Sequence, residues 1–143
     1  MYRDIKIGVI GCGMVGVIHV KNLLKMIPTN NIYLCDKSQE VLQNVSMEYN
    51  IKNIYTDEMN LITNPYINSI IICSPPITHF DLIVKCINAD KNLLIEKPIA
   101  TRIDDLNKIQ LLVETKPELI VMDCSARHSV LQPKFDFIKS LIS

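Results

Sequence analysis

Short apolar runs and amphipathic stretches alternate along this chain, and most of the apolar runs stop at a glycine, a proline or a charge. Residues 5–10, IKIGVI, are short, β-branched and bounded by Gly11, the pattern of a buried strand. Residues 14–27 carry Val15, Ile18, Leu23 and Ile27 among their apolar positions and predict a helix that Pro28 stops. Residues 32–35 (IYLC) predict a second strand, 39–49 a second helix, and 53–56 (NIYT) a third strand. Residues 69–73 are nearly pure isoleucine and predict a fourth strand, followed by a helix over 79–89 and a strand over 92–95. Leu106, Ile109, Leu112 and Val113 then repeat at helical spacing behind Thr101 and Asp104, which stand in capping-box arrangement. Residues 119–124 (LIVMDC) predict a last strand and 133–141 a last helix.

Apolar strands that alternate with amphipathic helices define an α/β fold, a Rossmann-type doubly wound parallel sheet of about six strands in three layers. In such a sheet every strand points its C-terminal end to one edge, where ligands bind. Cys73-Ser74-Pro75 and Glu96-Lys97-Pro98, each at the end of an apolar run, are therefore expected beside the glycine turn that follows the first strand.

Composition narrows the function classes. At 143 residues, with 48% hydrophobic and 21% charged positions, the chain suits one domain with a proper core. Its formal net charge of +0 gives no reason to expect a nucleic-acid or anionic-membrane partner. No stretch approaches a membrane span, and the N-terminus has no signal-peptide pattern, so a cytoplasmic location is expected. Cys12, Cys35, Cys73, Cys86 and Cys124 are odd in number and show no CxxC spacing; they read as reduced core residues and not as a metal site.

The chemistry begins at Gly11-Cys12-Gly13-Met14-Val15-Gly16, which fits G-x-G-x-x-G between a predicted strand and a predicted helix. The first glycine permits the tight turn, the second lets a pyrophosphate approach the backbone, and the third lets helix and strand pack closely. A helix N-terminus adds N–H donors and positive dipole for the phosphates. Asp36 stands twenty residues after Gly16, at the tip of the second strand, where a carboxylate can accept ribose hydroxyls and repel a 2′-phosphate. That favours NAD; Lys37 beside it keeps NADP admissible. Tyr33 and Lys37 form a literal Y-x-x-x-K, but they begin on a strand, where four residues span roughly 13 Å, so they do not meet as a catalytic pair.

Ser74-Pro75-Pro76 forces the chain out of the sheet after the isoleucine strand, because proline cannot donate to a ladder. The exit loop can offer the Ser74 hydroxyl to a cofactor. Thr78 is a candidate N-cap, placing His79 in the first helical turn, as packing residue or near a nicotinamide. Glu96 and Lys97 are either surface charges or a carboxylate and a cation aimed at the crevice, Lys97 being held extended by Pro98. Arg127, and more remotely His128, are further candidates for the same crevice.

The segments GVIGCGMVGVIH (8–19), IYLCD (32–36) and SIIICSPPITHFDLIVKCINADKNLLIEKPIA (69–100) together resemble the Gfo/Idh/MocA oxidoreductases, a family that includes glucose–fructose oxidoreductase and inositol dehydrogenase. The resemblance implies an N-terminal Rossmann domain over residues 1–126 that binds NAD or NADP. It implies hydride transfer to or from carbon of a sugar- or cyclitol-like alcohol, with Lys97 as the catalytic residue touching substrate and nicotinamide ribose and the Lys97–Pro98 bond commonly cis. Relatives continue into an α/β domain that carries the Asp/His proton-transfer pair, the substrate pocket and the oligomer interface. Residues 127–143 resemble the start of that connection, and this sequence ends there. A stand-alone dinucleotide-binding or sensing module, without catalysis of its own, is the alternative.

Overall fold

A computed structural model describes residues 5–124 of the chain. Six strands run through it: β1 (Ile7–Ile10), β2 (Ile32–Cys35), β3 (Asn53–Tyr55), β4 (Ser69–Ile72), β5 (Asn92–Ile95) and β6 (Val121–Asp123). They form one sheet in the order β3-β2-β1-β4-β5-β6, and every neighbouring pair is parallel. The five helices are α1 (Met14–Leu23), α2 (Gln39–Tyr49), α3 (Glu58–Ile62), α4 (His79–Asn88) and α5 (Ile103–Glu114). The chain moves one way across the sheet from β1 to β3, then returns past β1 and moves the other way. With crossovers of one hand, this reversal puts α1 and α2 on one face and α3, α4 and α5 on the other.

The core is correspondingly split. On one face Val20 and Leu23 of α1 and Leu42 and Val45 of α2 pack on Val9, Leu34 and Ile71. On the other, Leu61 and Ile62 of α3, Ile83 and Ile87 of α4 and Ile109 of α5 pack on Ile10, Ile70, Ile72 and Ile95. Ile70, Ile71 and Ile72 point alternately to the two faces and are all buried, which is why this strand reads as an unbroken isoleucine run. Where β3 hands over to β4, the buried Lys91 donates from Nζ to the carbonyls of Asn64 (2.9 Å) and Ile67 (2.8 Å), pinning the loop that reverses direction. At the opposite end of the strands from the glycine turn, an apolar groove of about 640 Å³ opens on the α1 face of β4–β6, between Leu23, Met26, Ile71 and Leu94.

Several expectations need correction. The first helix ends at Leu23, before turns and a 3₁₀ segment (Thr29–Asn31), because residues 24–27 already bend back by hydrogen bonds to Val20, Asn22 and Leu23. The capping box at Thr101 does not form: Arg102 is the N-cap of α5 and no side chain caps it. Thr78 likewise does not cap α4 by its side chain; its hydroxyl donates to the Pro75 carbonyl at 2.8 Å within a 3₁₀ turn, Pro76–Thr78. Helix α3 was not expected at all, since five residues are too few to show a period. The helix expected over 133–141, the 127–143 connection, Arg127 and His128 lie outside the described residues.

Candidate functional site

Strand register brings the site together. Ile10 is level with Cys35 and with Ile72, and Ile72 with Ile95, so Gly11, Asp36, Cys73 and Glu96 leave the sheet side by side. The three glycines of the turn are required for different reasons. Gly11 has φ +92°, and a Cβ there would lie 2.6 Å from the backbone of Cys73 and Ser74. On Gly16 a Cβ would lie 1.9 Å from the Gly11 carbonyl oxygen. Above Gly13, by contrast, nothing of the protein lies within 4 Å. Gly13 is also the N-cap of α1 and has no side chain to cap it, and the first turn carries no acid. The first N–H groups of a helix have no intrahelical partner. Here they face open space, bordered by Met14 (85% exposed) and Val15.

Asp36 organises this turn. One carboxylate oxygen accepts from the Cys12 N–H (2.8 Å) and the other from the Ser38 N–H (2.9 Å), tying the glycine turn to the start of α2. The Gly11 N–H donates to the Cys35 carbonyl at 2.8 Å. Between the tips of β1, β2 and β4 lies a cavity of about 520 Å³, lined by Gly11, Asp36, Lys37, Ser74, Pro75 and Ile77 among others. Ile77, 76% exposed, offers an apolar surface to it that the sequence did not mark. The Ser74 and Thr78 hydroxyls are 2.7 Å apart.

The loop after β5 is held from both sides. His79, at the start of α4, is almost fully buried, with Nδ1 2.8 Å from the Pro98 carbonyl and Nε2 2.8 Å from the Ser74 carbonyl. The ring donates to one carbonyl when neutral and to both when protonated, so it staples the loop after β4 to the loop after β5. Glu96 turns inward: its Oε1 accepts from His19 Nε2 of α1 at 2.8 Å and its Oε2 from the Lys97 N–H at 3.3 Å. Burial works against ionisation of Glu96, but hydrogen bonds from His19, Cys124 and the Lys97 N–H outweigh it and hold the carboxyl below its ordinary range. Lys97 itself is exposed between these two anchored residues, and its bond to Pro98 is cis.

His19 is the residue that sequence reasoning overlooked. The buried positions of α1 are Gly16, His19, Val20 and Leu23, so His19 sits on the helix's core stripe, where a polar side chain needs a partner. His19, Glu96 and Cys124 bring ligating atoms within 4.8 Å of one another, a set that could hold a metal ion, yet hydrogen bonds from His19 and from Cys124 already satisfy Glu96. The cysteines are poor nucleophiles here. Burial, assisted by Asp36, pushes the Cys12 thiol up to about 12, burial raises Cys35 and Cys86 to about 12, and it raises Cys73 as well.

A glycine turn opening onto an uncapped helix, with an acid at the neighbouring strand tip, defines a dinucleotide-binding Rossmann unit. The comparison with known proteins agrees and is narrower. Residues 5–123 match the Gfo/Idh/MocA family model, described as "Oxidoreductase family, NAD-binding Rossmann fold", and the chain belongs to that family. It is 31% identical over 118 residues to a myo-inositol 2-dehydrogenase of Thermotoga maritima, covering 82% of this chain and 34% of that protein. It is 27% identical over 106 residues to a scyllo-inositol 2-dehydrogenase (NAD(+)) of Bacillus subtilis, covering 73% of this chain and 31% of the other. The fold superposes at a TM-score of 0.84 and 23% identity on the scyllo-inositol dehydrogenase from Lactobacillus casei solved with NAD(H) and scyllo-inositol, over 98% of this chain and 41% of that one. The chain thus spans about a third of the length of these curated relatives.

Proposed function

We propose that this chain is the cofactor-holding part of an oxidoreductase that moves a hydride between NAD(H) and a sugar- or cyclitol-like alcohol. The observation that carries the reading is the contrast among the three glycines: the protein itself explains Gly11 and Gly16, whereas the space above Gly13 is left open in front of an uncapped helix end. A pyrophosphate fits that space, and it would receive the N–H groups of Gly13, Met14, Val15 and Gly16. Cys12 contributes through its backbone, anchored on Asp36. Asp36 retains lone pairs for the adenosine ribose, with Lys37, Ser74 and Pro75 along the same cavity. Lys97 stands at the reaction edge as the residue that contacts substrate and nicotinamide ribose; His79 and Glu96 act behind it as anchors. When bound, the nicotinamide would supply the hydride acceptor, and the chain's own residues bind it, orient it and aim one ammonium group. The polyol substrate class is suggested by the relatives' names and by Lys97, whose three N–H donors suit a hydroxylated ligand.

The stand-alone binding module is favoured by one specific observation. Both histidines among the described residues are buried and hydrogen-bonded, and Glu96 is turned inward, so none of the three is presented as a proton acceptor beside Lys97. Both readings share cofactor binding. Calorimetric titration of the 143-residue chain with NADH and NADPH tests it: saturable binding with NADH preferred is expected, and absence of binding by a folded chain refutes it. Asp36→Ala should narrow the preference and cost about 1 kcal/mol of stability, since two backbone donors lose their acceptor. A preference that survives this substitution removes Asp36 from the site.

A further inference from the structure

The cavity beside Asp36 carries more charge than one ribose-binding acid explains. Five charged side chains line it: Asp36, Lys37, Glu58, Asp81 and Lys85. Three carboxylates thus face two ammonium groups. Glu58 opens α3, the short helix that follows β3, and its Oε1 accepts from Lys85 Nζ of α4 at 3.2 Å. That carboxylate is half-buried and also feels Lys37 on the neighbouring strand tip. A hydrogen bond to its own backbone N–H, together with Lys85 and Lys37, keeps it ionised well below neutral pH. Asp36, meanwhile, already accepts from two backbone N–H groups.

We propose that Glu58 is a specificity-determining residue of this site: by pairing Lys85 it withholds that cation from a 2′-phosphate, and so disfavours NADP(H). The inference rests on the dinucleotide reading above. A 2′-phosphate entering beside Asp36 carries close to two negative charges and binds more tightly with each ammonium group released to it. Lys37 and Lys85 both line the cavity, and Glu58 holds Lys85. Discrimination against NADPH is then set in part by the α3–α4 contact and not only by the acid at the end of β2. Freeing one ammonium group beside a doubly charged phosphate at a partly exposed site is worth about a tenfold change in affinity.

The test uses the 143-residue chain as it stands, titrated separately with NADH and NADPH. Glu58→Gln keeps a carbonyl oxygen for Lys85 and for its own N–H, so the fold should persist. NADH affinity should stay within about twofold, while NADPH affinity rises about tenfold relative to NADH. The gain should shrink with added salt, because the new interaction is between partly exposed charges. Glu58→Gln combined with Lys85→Met should lose most of the gain, which identifies the released cation. Retained NADH binding with an unchanged NADPH-to-NADH ratio overturns the proposal, as does a gain that survives fully in the double variant. Failure of the unaltered, folded chain to bind either nucleotide refutes the dinucleotide reading itself, and this inference falls with it.

Discussion

Gly13 and Gly16 sit three residues apart in one motif, yet they answer to different constraints and should respond oppositely to the same change. Gly16→Ala forces a methyl group onto the Gly11 carbonyl, so α1 must move off the turn; such overpacking costs about 1–3 kcal/mol. Gly13→Ala meets nothing in the protein and should leave the melting temperature nearly unchanged while weakening NADH binding. Thermal melts and NADH titrations of the two variants, done in parallel, check this. Loss of stability in Gly13→Ala, or tight NADH binding by it, contradicts the assignment of that space to a pyrophosphate. The motif and the separate job expected of each glycine were legible in the sequence; the contacts were not, because the Gly11 carbonyl meets Gly16 and the backbone of Cys73 and Ser74 meets Gly11 only in the folded chain.

Helices α1 and α4 do more than cover the sheet. Through His19 and His79 they grip the residues on either side of Lys97, so the backbone that carries this lysine is positioned by two helices. The Glu96 anchor should show in acid. Its carboxyl titrates below the ordinary range in the folded chain, so the unfolded chain binds the proton first as pH falls. The resulting stability is fully present above the ordinary carboxyl range and is lost as pH drops through the lower, folded value. Glu96→Gln should therefore be less stable than the parent at neutral pH, with the difference closing below about pH 4; melting temperatures between pH 7 and pH 3 measure it, and a constant difference would place the anchor elsewhere. At this scale the sequence was readable wherever an element is long or wholly apolar. All six strands and four of the five helices follow the hydrophobic pattern, and β5 falls on residues 92–95 as expected. Helix α3, the shortened α1 and the uncapped start of α5 did not follow it. Each is decided by tertiary contacts or local turns that carry no period. Glu96 illustrates the same limit: a charge at a strand end looks solvated until a histidine on another helix is found beneath it.

For the molecule as a whole, the parallel sheet explains why so little surface chemistry survives outside one edge. Cys12, Cys35, Cys86 and Cys124 are buried, and Cys73 is partly so. With thiols such as Cys12, Cys35 and Cys86 raised to about 12, thiolate is scarce at pH 8. A colourless thiol reagent with a chromophoric leaving group should label the native protein slowly at that pH and rapidly in denaturant. Fast native labelling of several cysteines would mean the core opens locally far more often than its packing implies. Among the described residues no helix is long and apolar enough to cross a membrane. The apolar groove runs along the α1 face of the sheet as far as His19, the partner of Glu96.

The hydrogen bond from the Cys12 N–H to Asp36 and the close seating of Gly16 on Gly11 have a kinetic meaning. Both fix the cradle before any nucleotide arrives, so its backbone donors are held in place by protein contacts alone. Little chain entropy is then left to lose at the moment of encounter, and the affinity need not be reduced by an ordering step. On the proposed pyrophosphate assignment, a cradle made rigid in advance would act as a template, with the lifetime of the complex set by how firmly the nucleotide is held once seated.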